Sequence, residues 1–299
     1  MTDAAPDVAV VARPVASLRH GAASAPALLG EGPVWDAARG ELLWVDIERG
    51  LVHRRTPGEA ETSVDVGQPV GCAVPRAGGG LALALRDGFA LLPYGGREER
   101  VVIPVEQQRP DTRMNDGGCD SRGRFWAGTM SLVGDTRTAA LYRLDADLTV
   151  TRVLPGVSIS NGLAWSPDGR LMYHVDTPRR RIDVYEFDAV AGSIGGRRAA
   201  IPVEPEHGMP DGLTVAAEGG VWVALWGGGV VQRFSPEGRL DAHLELPASQ
   251  VTSCCFGDPD LATLYVTSAA RGADHEPLAG SLFACRPGVR GLPSMPFGG

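Results

Sequence analysis

The sequence is poor in the features that mark several large protein classes. Only five of its 299 residues are cysteine, at Cys72, Cys119, Cys254, Cys255 and Cys285. An odd number with no Cys-x-x-Cys pair argues against a disulfide framework or a zinc knuckle, and leaves small, reduced, mostly buried thiols as the expectation. The histidines, His20, His53, His174, His207, His243 and His275, fall at no metal-ligand spacing, so a histidine-built metal centre is not expected. No apolar run approaches the roughly 18 residues of a membrane span. The start, Met1-Thr2-Asp3-Ala4-Ala5-Pro6, has neither the basic segment nor the apolar stretch of a signal peptide. A cytoplasmic protein without a membrane partner is therefore expected.

Basic charge is also scarce. The formal net charge is -8, and the 28 Lys and Arg residues are scattered. The densest run, Arg179-Arg180-Arg181, is short and reads as a solvated turn between strands, which argues against nucleic acid as a partner. No G-x-G-x-x-G follows a strand, and neither a Walker loop nor a G-x-S-x-G elbow occurs; Gly227-Gly228-Gly229 reads as a hairpin rather than a phosphate cradle. Regular amphipathic helical segments are missing too, which disfavours an alternating β/α layout.

What the chain does have is glycine and proline, 40 and 23 residues, with 43% hydrophobic content. Many short strands joined by turns, around a well-buried core, are the expectation. One arrangement recurs. Asn115-Asp116 heads a segment in which Asp120-Ser121-Arg122-Gly123 supplies a turn and Phe125-Trp126-Ala127-Gly128 a strand. The same order appears from Asn161 through Gly169 to Tyr173, and from Asp211 through Gly219 to Trp222. Weaker copies bring the number of units to six. Anchored on their second strands, at Trp44, Leu83, Trp126, Tyr173, Trp222 and Tyr265, the units are 39, 43, 47, 49 and 43 residues apart. That period, with three or four strands per unit, predicts an all-β fold, a six-bladed β-propeller. Residues 1–299 are then one domain, with a strand over about 8–18, interrupted at Pro14, closing the ring on the last blade, and 287–299 as a C-terminal tail.

Glu31, Asn115, Asn161, Asp211 and Ser253 occupy one slot, at the start of the strand before each anchor; the second unit has Gly71 or Cys72 there. In a propeller such positions converge at one end of the central channel. Burying unpaired polar groups costs several kcal/mol each, so a divalent cation is the expected occupant, with Glu31 and Asp211 balancing its charge and Asn161 adding a neutral oxygen. Arg113 and Asn115, two apart on an extended strand, face the same way and suit the carbonyl or hydroxyl oxygens of a small polar ligand. Blander readings exist for each residue: Asn161-Gly162 and Asp211-Gly212 as ordinary turns, Glu31-Gly32-Pro33 as an exposed loop, Arg113 as a surface partner of Asp111 or Asp116. Asp116 itself reads as a turn-ordering residue.

Five ordered segments, Gly30-Glu31-Gly32-Pro33-Val34-Trp35, Arg113-Met114-Asn115-Asp116-Gly117, Trp126-Ala127-Gly128-Thr129-Met130, Ser160-Asn161-Gly162-Leu163-Ala164-Trp165 and Pro210-Asp211-Gly212-Leu213, resemble the regucalcin/gluconolactonase (senescence marker protein) family of metal-dependent sugar lactonases. The resemblance runs from about residue 28 to 286. It implies a six-bladed propeller with one divalent metal, Ca²⁺, Zn²⁺, Mn²⁺ or Mg²⁺, held by Glu31, Asn161 and Asp211, and a sugar lactone bound by Arg113 and Asn115. Several members carry an acid just after the Gly-Thr-Met segment that contacts sugar hydroxyls. Here Ser131-Leu132-Val133 follows, and Asp135 is the nearest acid.

In the expected mechanism the metal polarises the carbonyl and acidifies a water, with Asp211 as general base. A phosphotriesterase-like hydrolase on the same scaffold and a non-catalytic metal-binding propeller are the competing readings.

Overall fold

The computed structural model describes residues 10–11, 13–14, 26–93 and 101–299. Two short strands come first, β1 (Val10–Val11) and β2 (Arg13–Pro14). Blade one comprises β3 (Gly30–Asp36), β4 (Glu41–Asp46), β5 (Leu51–Arg55) and β6 (Thr62–Asp65); blade two β7 (Val70–Pro75), β8 (Leu81–Leu85), β9 (Gly88–Leu92) and β10 (Val101–Pro104). Blade three holds β11 (Thr112–Cys119), β12 (Phe125–Ser131), β13 (Ala139–Leu144) and β14 (Val150–Val157); blade four β15 (Ser160–Trp165), β16 (Leu171–Asp176), β17 (Arg181–Asp188) and β18 (Ser193–Pro202). Blade five holds β19 (Met209–Val215), β20 (Val221–Trp226), β21 (Val230–Phe234) and β22 (Leu240–Glu245), and blade six β23 (Val251–Gly257), β24 (Thr263–Ser268) and β25 (Phe283–Cys285). Among the described residues the only helical turns are short 3₁₀ segments, Thr177–Arg179 and Pro205–His207. Among the described residues no helix is long and apolar enough to cross a membrane.

Each blade is an antiparallel meander whose first strand lies innermost. The inner strands touch in a closed circuit, β3 to β7, β7 to β11, and onward through β15, β19 and β23 back to β3. The fold is thus a six-bladed β-propeller. Alternation along the strands sends apolar side chains to both faces of each blade, where neighbouring blades bury them. One apolar cluster fills each interface, as with Leu43, Val45, Leu83 and Leu85 between blades one and two, or Val175, Ile182, Val223 and Leu225 between four and five. Turn chemistry ends the inner strands: the carboxylate of Asp36 accepts the Ala38 N–H at 3.0 Å, and that of Asp120 the Arg122 N–H at 2.9 Å.

Blade six supplies only three strands in sequence order, and β2 takes the outer place, pairing Arg13 with Ala284 and Pro14 with Phe283. Proline suits such an edge, where its missing N–H is not needed by a further strand. β1 lies parallel to β22, Val10 beside Leu244. The rest of the expected 8–18 strand lies outside the described residues.

Residues 287–299, expected as a tail, cross the propeller face on which the inner strands end. The Ala217 N–H bonds the Arg290 carbonyl and the Gly291 N–H the Leu261 carbonyl, both at 2.8 Å, fixing one end on blades five and six. At the other end the Phe297 N–H bonds the Pro75 carbonyl and the Phe297 carbonyl accepts the Ala77 N–H, each at 2.8 Å, while the Gly298 N–H reaches the Gly123 carbonyl at 2.9 Å. Between these anchors Leu292, Pro293 and Met295 line one side of an axial cavity of about 320 Å³. Phe297 is fully buried against the cluster of Phe89 and Phe125. Truncating a buried aromatic costs about 3–5 kcal/mol, so Phe297→Ala should lower unfolding free energy by at least about 3 kcal/mol, read from guanidinium denaturation of the two proteins.

Candidate metal and substrate site

Each inner strand slips register near its start. The shifts fall between Glu31 and Val34, Val70 and Cys72, Met114 and Gly117, Asn161 and Leu163, Pro210 and Leu213, and Val251 and Ser253. A bulge bends its strand and re-aims a side chain, and these six lie at equivalent places around the axis. Glycine follows from the crowding there. A Cβ on Gly162 would lie 2.6 Å from the Asp211 carbonyl oxygen, one on Gly212 2.0 Å from the Ser253 hydroxyl, and one on Gly71 2.2 Å from the Asn115 carbonyl oxygen. The absent side chain at Gly71 leaves the second blade without a polar contribution.

Glu31, Asn115, Asp116, Asn161, Asp211 and Ser253 are all buried. A hydrogen-bonded chain ties blades three, four and five. Arg113 Nη1 donates to Asn115 Oδ1 at 2.7 Å; Asn115 Nδ2 donates to Asn161 Oδ1 and to the Ser160 carbonyl, both at 2.9 Å. Asn161 Nδ2 donates to Thr177 Oγ1 at 2.8 Å, and that hydroxyl donates to the Pro210 carbonyl at 2.9 Å. On the opposite side, Thr252 Oγ1 donates to the Gly30 carbonyl at 2.6 Å and links blade six to blade one.

The carboxylates are poorly compensated. Glu31 Oε2 accepts the Gly32 N–H at 3.0 Å and Asp116 Oδ1 the Gly117 N–H at 2.7 Å, while Asp211 Oδ1 is buried with no hydrogen-bond partner among the described residues. Burial, reinforced by the Asp116 charge, pushes Glu31 up to about 8. Burial pushes Asp116 up to about 6. Asp211 is held well above the usual carboxylate range by burial and then by the charges of Glu31 and Asp116. Burial lowers Arg113 to about 10, against the pull of Glu31, Glu48 and Asp211. The Arg113 guanidinium thus offsets Glu31 and Asp211, while Asp116 has no such partner among the described residues.

A divalent cation fits this set on two grounds: the negative charge exceeds its partners, and a buried carboxylate oxygen points at nothing. Glu31 and Asp211 with the Asn161 oxygen could hold a hard cation, whose ligands are oxygen. Among the described residues no three His, Cys, Asp or Glu gather as a cation cluster; the candidate ligands are two carboxylates and a carboxamide, with Asp116 outside that set.

Arg113 does not pair with Asp111, whose carboxylate is taken by Arg109 at 3.1 Å; it stays directed at Asn115 and the Met114 carbonyl. Asp135 is likewise occupied, accepting a hydrogen bond from Ser158 Oγ. Two residues are not assigned to the site from the sequence, where Asp116 reads as a turn-ordering residue. Asp116 orders its turn but is also a third axial carboxylate, a role that its place beside Asn115 could have suggested. Thr177, on a connection after β16, carried no motif signal.

The family model described as SMP-30/Gluconolactonase/LRE-like region matches residues 29–270. The chain is 39% identical to regucalcin of Danio rerio over 281 residues, covering 91% of this chain and 95% of that one. Among solved structures, a luciferin-regenerating enzyme matches with a TM-score of 0.87 and 31% identity over 96% of this chain and 99% of its own. A calcium-binding regucalcin of Agrobacterium tumefaciens matches at 0.85 and 29%, over 91% and 95%.

Glu31 and Asp116 have folded-state pKa values above their ordinary 4.5 and 3.8. Their contribution to stability is therefore full at low pH and is lost as pH rises through about 6 and then about 8. In chelator-treated protein the loss of this contribution should lower the melting temperature between pH 5 and pH 8. Added Ca²⁺ or Mn²⁺ should restore it at pH 8, by about 2.7 kcal/mol at a hundredfold excess over Kd, and should have little effect on Asp211→Asn. Differential scanning calorimetry reads both.

Proposed function

We propose that this chain, which belongs to the SMP-30/gluconolactonase/LRE-like family, is a metal-dependent hydrolase that opens the ring of an aldonolactone-type substrate to the hydroxy acid. The observation that carries the reading is the buried excess of negative charge at the axis: Glu31 and Asp211, offset by Arg113 and joined by Asp116, with one Asp211 oxygen unpartnered among the described residues. A structural core gains nothing from such an arrangement, because buried charge without a partner costs several kcal/mol.

A divalent cation held by Glu31, Asn161 and Asp211 would supply Lewis acidity toward a lactone carbonyl and lower the pKa of a nearby water. Asp211 takes the proton as water adds to the carbonyl carbon. When the acyl bond to the ring oxygen breaks, that proton passes to the departing alkoxide, so one water is consumed and one hydroxy acid forms. Arg113 presents its guanidinium to the carbonyl or ring oxygen and is itself oriented by Asn115 and the Met114 carbonyl. Asn115, fixed from the other side by Asn161 and Ser160, holds its amide in one orientation without needing substrate to order it. Burial of Glu31, Asn115, Asn161 and Asp211 limits bulk water around these groups and strengthens their electrostatics.

Chelation, or Asp211→Asn, should reduce aldonolactone opening at least 10³-fold, on the order expected when a base and a metal ligand are removed together. Titration of released acid in a pH-stat measures it, with circular dichroism showing that the blades remain folded. Activity that survives both treatments would falsify the proposal.

A further inference from the structure

Alternation along β16, β17 and β18 puts a charged set on one face of blade four. His174 lies directly across from Asp183, and Tyr185 from Arg197, and directly paired residues share a side of the sheet. Asp176, two beyond His174, and Arg181, two before Asp183, fall on that side as well. These side chains, with Arg179 from the 3₁₀ turn and Arg137, line a cavity of about 200 Å³ against Leu154 and Val157 of β14. Ser160 pairs with Asp176, so the cavity lies at the end of the propeller where the inner strands begin. Glu31, Arg113, Asn115, Asn161 and Asp211 do not line it.

The run Arg179-Arg180-Arg181, a solvated turn by its sequence, is divided here. Arg180 takes a left-handed backbone, φ 51°, and donates to the Gly208 carbonyl at 3.1 Å, toward blade five, while Arg179 and Arg181 line the cavity. Two carboxylates meet four guanidiniums there. Asp183 Oδ1 accepts from Arg181 Nε at 2.7 Å and from Arg197 Nη1 at 3.2 Å. Asp176 Oδ2 accepts from Arg179 Nε at 3.3 Å, and its Oδ1 is taken by the Ser158 and Ile159 N–H groups. A guanidinium carries five N–H donors, so most of those on Arg179 and Arg197 have no acceptor among the described residues. The Arg137 side chain has none either; its backbone N–H goes to Ser158 Oγ. Asp135 is held by that same hydroxyl and does not line the cavity. His174 is buried, with Nε2 at 2.9 Å from Ser160 Oγ and Nδ1 without a partner among the described residues. Burial lowers the imidazole to about 4, so it adds no charge at neutral pH.

The geometry points to this cavity as a binding site for a phosphate-type dianion, separate from the axial site. Four guanidiniums against two carboxylates leave an excess of two positive charges, in a chain whose net charge is -8. A cleft lined by one sign of charge focuses its field on an ion of the other. Guanidinium forks match the oxygens of a phosphate two at a time. The bonds to Asp176 and Asp183 already restrain Arg179, Arg181 and Arg197, so these side chains lose little freedom when an ion enters. A ladder of ion pairs that only braced the blade would balance its charges; this one leaves donors over. Free phosphate and a phosphate monoester present the same head group to it.

Isothermal titration calorimetry of the Mg²⁺-loaded full-length protein at fixed ionic strength tests this, with inorganic phosphate, glycerol 1-phosphate and chloride as probes. Phosphate should saturate a site on wild type that chloride does not fill. Arg179→Gln and Arg197→Gln should each weaken phosphate roughly tenfold or more, the loss expected for a charge-assisted hydrogen bond, with circular dichroism spectra unchanged. Arg170→Gln, at the opposite end of blade four and 85% exposed, should bind as wild type does. Glycerol 1-phosphate that binds as tightly as phosphate assigns the site to phosphate monoesters, and weaker binding assigns it to the free ion; either supports the site. Phosphate held by an axial cation would survive both arginine substitutions, so binding that they leave unchanged overturns the inference. So does a loss that Arg170→Gln reproduces, which is general charge attraction, and so does the absence of saturable phosphate binding to wild type.

Discussion

The architecture depends on the close approach of six inner strands around one axis. Their bulged starts come so near one another that a side chain on Gly71, Gly162 or Gly212 would strike the neighbouring strand. This crowding has two effects. It forbids large side chains at those places, and it fixes the direction of the residues beside them, since each bulge leaves its strand little freedom to turn. Glu31 and Asp211 are preorganised by backbone geometry, and Asn115 and Asn161 also by the hydrogen bond between them.

Electrostatics follows from that geometry. Carboxylates that would ordinarily turn toward water are kept buried, and burial raises their pKa values, with the Asp116 charge adding to the shift of Glu31 and the Glu31 and Asp116 charges to that of Asp211. The polar chain from Arg113 through Asn115, Asn161 and Thr177 to the Pro210 carbonyl runs around one side of the axis. It satisfies the amides and leaves the acids unsatisfied. The arrangement is costly for a protein that only needs to fold and useful for one that must hold a cation and activate a water.

Much of this was legible in the sequence because it repeats. The spacing from Trp44 to Tyr265 exposed the blades, and a shared offset from those anchors picked out residues that the structure brings to one end of the axis. What escaped was not periodic. The bulge at Met114/Gly117 interrupts the two-residue alternation, so the strand pattern could not tell whether Asp116 faces the axis or only orders its turn. Thr177 reaches the site from outside any inner strand. Phe297 reads as a terminal residue, and its burial depends on pairing with Pro75 and Ala77, more than two hundred positions away. Long-range pairings of that kind leave no local trace.

Segments far apart in sequence are structural parts of one ring. Arg13 pairs with Ala284, 271 positions later, and the segment ending at Gly299 is laid across blades that were formed first. On the ribosome the early blades can assemble as they emerge, but the sixth cannot complete its sheet until Cys285 has been made. Joining such distant segments carries a large loop-closure cost before the contacts repay it. Ring closure is consequently a late event in biogenesis, and until then the flanks of blades one and six present unpaired apolar faces to the surrounding solution.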